Sequence, residues 1–64
     1  MYYMLYEMIR LRKEKKLSQL ELGNLIGMKQ RVISKYEREE SELPVSVAKR
    51  IAEVFDVDWW RLYE

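Results

Sequence analysis

Sixty-four residues suffice for one domain, and a chain this short takes only about 60% of its unfolded surface out of water, leaving no room for two lobes with a cleft between them. It contains no cysteine and no histidine. That excludes a disulfide framework and thiolate metal sites, and removes the commonest metal ligand and acid–base catalyst. Carboxylates alone, with little buried volume in which to shift their pKa values, do not suggest an enzyme, so no catalytic residue, cofactor or metal is expected. The net charge of +1 hides an asymmetry: residues 1–35 carry eight Lys/Arg against three Asp/Glu, and residues 36–64 carry four against eight. A basic first half suits a polyanionic partner, and an acidic second half facing away from it favours solubility.

The apolar start, Met1 to Tyr6, lacks a basic leader and meets Glu7 and Arg10 before a signal core or membrane span is complete. It reads as helix, in a chain expected to be cytoplasmic and free of membrane. Met4, Leu5, Met8 and Leu11 follow at helical spacing, with Arg12 to Lys16 as a charged end. Ser18-Gln19-Leu20-Glu21 is a capping box that starts a second helix at Ser18, with Leu17 and Leu22 as its hydrophobic staple. Leu22, Leu25 and Ile26 continue one apolar face, and Gly27 can take the left-handed conformation that ends the helix. Val32, Ile33 and Tyr36 share one side of a third helix, from about Lys29 to Arg38, whose opposite arc holds Gln30, Arg31, Ser34, Lys35 and Arg38. Ala48, Ile51, Ala52 and Phe55 mark a fourth helix opening near Pro44, and Asp58 is placed to cap a final short helix, Trp59 to Tyr63. Met4, Met8, Leu11, Ile26, Ile33, Phe55 and Val57 are the expected core.

Two short helices separated by Gly27-Met28, the second with a polar and basic outer face, form a helix-turn-helix over about residues 18–38. In this arrangement one helix can enter a groove of DNA while the other braces it. Arg31, Lys35 and Arg38 offer donors to phosphates or guanine edges, and Gln30 can pair in bidentate fashion with adenine. Lys29 falls at the N-cap, where serine or threonine would serve better and where its charge opposes the helix dipole; a DNA phosphate would reverse that sign. Gln19, in the first turn of the bracing helix, can join the free N–H groups there in holding a phosphate.

Leu11-Arg12-Lys13-Glu14-Lys15-Lys16-Leu17-Ser18-Gln19, then Leu22, Gly27, Ile33, Tyr36 and Glu37, then Ile51-Ala52, Phe55, Val57 and Leu62, resemble the Cro/cI-type (XRE) helix-turn-helix family of phage and bacterial regulators over nearly the whole chain. The resemblance implies an all-α fold, a compact five-helix bundle of the lambda-repressor-like DNA-binding type, as a single domain over residues 1–64. It implies base contacts from Lys29, Gln30, Arg31 and Lys35, a backbone contact from Gln19, and a structural ion pair of Arg12 with Glu37. The chain departs from the family pattern at Arg38-Glu39-Glu40-Ser41-Glu42, acidic where the family has glycine and then basic residues, and at Lys16 and Asp56, where glycine is common. Pro44 is also displaced by one position, and Lys29 replaces the usual cap. These changes lower the expected affinity more than they threaten the fold.

The expected function is sequence-specific binding of double-stranded DNA by a homodimeric transcriptional regulator, a repressor, that inserts helix 29–38 into the major groove of a palindromic operator. Tyr2, Tyr3, Tyr6, Ile9, Trp60 and Tyr63 exceed what so small a core can hide, so the last helix and the N-terminus are the candidate dimer surface. The alternative is a protein-binding helix-turn-helix module, an antitoxin or anti-repressor, with weak or lost DNA contact. The acidic loop is its best support.

Overall fold

A computed structural model describes residues 5–64, which form α1 (Tyr6–Glu14), α2 (Gln19–Ile26), α3 (Gln30–Glu37) and α4 (Val45–Phe55), followed by a 3-10 helix, Trp59–Tyr63. Among the described residues there is no strand. The expected five-helix bundle is corrected, among the described residues, to four α-helices and a closing 3-10 turn. The last segment closes with tight bonds, Arg61 N–H to the Asp58 carbonyl at 3.1 Å and Glu64 N–H to the Arg61 carbonyl at 3.2 Å. Five residues rich in bulky aromatics gain little from an α ladder, and a 3-10 turn suffices to bury Leu62. Asp58 stands at the expected cap position, but its side chain makes no capping bond.

Met8 and Leu11 of α1, Leu22 and Ile26 of α2, Ile33 and Tyr36 of α3, and Ala48, Ile51 and Phe55 of α4 close a single core, sealed by Leu62. Leu5 and Leu43, outside the helices, are buried with them, and Val57 packs half-buried at the edge. Leu25 is a second correction, since it is 60% exposed. The buried residues of α2 are Leu22, Gly23 and Ile26. At about 100° per residue these fill an arc that turns Leu25 outward. Met4, Tyr2 and Tyr3 lie outside the described residues.

The four α-helices end alike, on a residue in the left-handed conformation: Lys16 (φ 59°), Gly27 (φ 74°), Glu39 (φ 54°) and Asp56 (φ 57°). The N–H after each returns to the carbonyl five residues before it: Leu17 to Arg12 (3.1 Å), Met28 to Gly23 (2.8 Å), Glu40 to Lys35 (2.9 Å) and Val57 to Ala52 (3.1 Å). This is the Schellman closure, which satisfies carbonyls that the helix leaves free. Only Gly27 adopts it without penalty; a residue with a Cβ gives up roughly 1–2 kcal/mol there. Lys16→Gly and Asp56→Gly are each expected to stabilise the domain by about 0.5–1 kcal/mol, the relieved strain exceeding the extra freedom glycine gives the unfolded chain. Urea midpoints check this; an unchanged or lower midpoint would show these junctions to be relaxed.

Candidate nucleic-acid interface

The bracing helix α2 is fixed at both ends. At its start the Glu21 N–H donates to Ser18 Oγ (3.0 Å) and the Ser18 N–H donates to Glu21 Oε1 (2.9 Å). The Ser18 backbone N–H foremost, and after it the Ser18 side chain, hold the Glu21 carboxyl below its usual pKa range. At its end Arg50 of α4 donates to the Ile26 carbonyl, a cap supplied across the bundle that the sequence reading missed. The turn to α3 depends on Gly23, also missed. A Cβ there would collide with the Met28 carbonyl oxygen, while the Met28 N–H bonds the Gly23 carbonyl. An unexplained glycine inside a helix was the available signal.

The far end of α3 is held by one buried carboxylate. Arg12 donates to Glu37 from Nε (2.7 Å to Oε2) and Nη2 (3.2 Å to Oε1), and its Nη1 donates to the Leu17 carbonyl at 2.8 Å. The side chains of Arg12 and Glu37 are 10% and 3% exposed. Gln19 Nε2 also donates to Glu37 Oε1 (2.9 Å), so α1, α2 and α3 meet on a single group. The Leu5 N–H adds a bond to the Glu37 backbone carbonyl at 2.9 Å. Gln19 is half-buried, with one amide N–H committed inward and a second left over.

On α3, Val32, Ile33 and Tyr36 face the core. Gln30, Arg31 and Lys35 are exposed, Ser34 is half-buried, and Lys29 and Arg38 lie exposed at the two ends. Lys29 occupies the N-cap position with extended backbone (φ −77°, ψ 150°) and no side-chain cap, so the first N–H groups of α3 lack that partner. Arg38 is paired with Glu40 at 2.8 Å. In the 3-10 segment Trp59 packs edge-on against Trp60 and Tyr63, with Lys49 Nζ 5.9 Å from its ring centre. Trp60 and Tyr6 are exposed, and the Tyr63 hydroxyl donates to the Leu43 carbonyl at 2.6 Å. Burial, with Glu42 nearby, raises the Tyr63 pKa. Among the described residues no helix is long and apolar enough to cross a membrane.

Residues 8–59 match the family described as Helix-turn-helix. A search of curated proteins returned no match. The matched span runs from α1 to the start of the 3-10 helix and takes in the whole of α2, the Gly27 turn and α3. The chain belongs to the Cro/cI-type (XRE) helix-turn-helix family of DNA-binding regulators.

Proposed function

We propose that the chain binds a specific double-stranded DNA sequence as a homodimer, places α3 in the major groove, and acts as a cytoplasmic repressor by occupying a palindromic operator. The observation that carries this reading is the exposed arc of Gln30, Arg31 and Lys35 on a helix whose far end is held by the buried Arg12–Glu37 pair. A groove about 12 Å wide accepts such a helix, and base-edge readout requires side chains held on a rigid support. Arg31 suits guanine, Gln30 suits adenine, and Lys29, Lys35 and Gln19 suit phosphates. Ser34 can donate or accept at either kind of site. The exposed aromatics Trp60, Tyr63 and Tyr6 support a dimer surface on the side of the 3-10 helix. A symmetric dimer would set two copies of α3 about 34 Å apart, one turn of the duplex.

Selection from random duplexes tests the proposal, and the retained sites should be palindromic. Gln30→Ala and Arg31→Ala should each lose roughly 1–3 kcal/mol and relax preference at one base pair. Lys35→Ala should weaken all sequences alike and reduce the slope of log affinity against log salt by about 0.9, as for one lost phosphate contact. Failure to enrich any duplex at low salt would reject DNA binding. It would favour the protein-binding reading, an antitoxin or anti-repressor module, which the exposed carboxylates of Glu39, Glu40 and Glu42 support.

A further inference from the structure

The outward arc of α3 ends on Arg38. Gln30, Arg31, Ser34, Lys35 and Arg38 fall within about 140° of one another at helical spacing. Arg38 is nonetheless not a free cation, because its Nε lies 2.8 Å from Glu40 Oε2, with both side chains about half exposed. The backbone that carries Glu40 is held in place: Glu39 takes φ 54°, its N–H bonds the Tyr36 carbonyl at 3.1 Å, and the N–H groups of Glu40 and Ser41 both reach the Lys35 carbonyl at 2.9 and 3.3 Å. This closure returns the chain over the end of α3 and brings the carboxylate of Glu40 to the guanidinium two residues earlier.

A carboxylate and a phosphate offer a guanidinium the same thing, anionic oxygens that accept its forked N–H donors. We propose that Glu40 is an intramolecular substitute for a DNA phosphate, holding Arg38 in an ion pair that duplex binding must break, and that it thereby sets the affinity of the domain. The inference rests on the DNA-binding reading above. An exposed pair is weak, so Arg38 is competed for rather than locked. Two effects act in the same direction. Arg38 must leave Glu40 to reach a phosphate, and the released carboxylate then faces the phosphate row beside Glu39 and Glu42, which are also exposed.

The test compares the parent chain, Glu40→Gln, Arg38→Gln and the double variant on the selected duplex at about 50 mM and about 200 mM salt. Glu40→Gln should bind roughly three- to tenfold more tightly at the lower salt and steepen the salt slope, since Arg38 no longer gives up a partner whose hold salt screens. In the Arg38→Gln background only the repulsion by Glu40 is left to relieve, so the same substitution should give a clearly smaller gain in affinity and a smaller change of slope. An equal gain in both backgrounds would overturn the proposal, because Glu40 would then act by general repulsion. So would a parent chain that binds its duplex and a Glu40→Gln variant that matches it in affinity and slope. If the parent retains no duplex, the DNA-binding reading fails and this inference falls with it.

Discussion

Glu37→Ala is expected to lower the stability of the domain by about 3–5 kcal/mol, because Arg12 would be left buried without a counter-charge. Native domains gain roughly 0.05–0.15 kcal/mol per residue, so a chain of 64 residues has roughly 3–10 kcal/mol in total. The variant should therefore sit at or near unfolding in plain buffer. Loss of the Gln19 bond acts in the same direction, since its amide also donates to Glu37. The size of the effect reflects an abandoned charge more than the net worth of the pair, and that difference is measurable. Arg12→Met combined with Glu37→Leu should recover most of the lost stability, as apolar replacements of buried pairs commonly do. Denaturant titration of the three proteins decides the matter; a Glu37→Ala unfolding free energy within about 1 kcal/mol of the parent's would mean that water reaches Arg12 freely.

Gly23→Val should destabilise by about 3 kcal/mol and weaken DNA binding even where the protein remains folded. Helix propensity alone argues for the opposite sign in the smaller change to alanine, since glycine within a helix is about 1 kcal/mol worse than alanine. Contact geometry wins over propensity here. The atom in the way is the Met28 carbonyl oxygen, part of the main chain, so no rotamer change relieves it. The turn that sets α3 against α2 has to open instead. Gly23→Ala should consequently fall between parent and valine, its gain in propensity offsetting part of the clash. Thermal melts give the order, and duplex affinity measured well below each melting point separates misplacement of α3 from unfolding. Equal melting temperatures for valine and parent would show the turn to be compliant.

Much of this architecture is legible in local chemistry. Ser18 and Glu21 form the capping box that their spacing announces, Gly27 terminates α2 in the left-handed conformation, and Val32, Ile33 and Tyr36 turn inward as helical periodicity requires. What was not legible depends on partners distant in the chain. Arg50 caps a helix that ended more than twenty residues earlier, and Leu43 is buried from a loop with no periodicity to mark it. Leu25 misled because its apolar character was weighed without the burial of Gly23, a residue with no hydropathy signal of its own. On the candidate surface, composition located the basic arc of α3. It could not reveal that Gln19 and Arg38 have carboxylate partners within the same chain, since such pairing depends on how the helices and the loop close in space.

The left-handed lysine and aspartate at the ends of α1 and α4 also have a practical use. A chain with only a few kcal/mol in hand is a poor host for mutational scanning, because loss of binding and loss of folding look the same in an assay. Converting Lys16 and Asp56 to glycine would act as a global suppressor, raising tolerance without altering any side chain of the α3 arc. In that background, even disruptive changes at Gln30 or Arg31 could be scored for sequence preference alone.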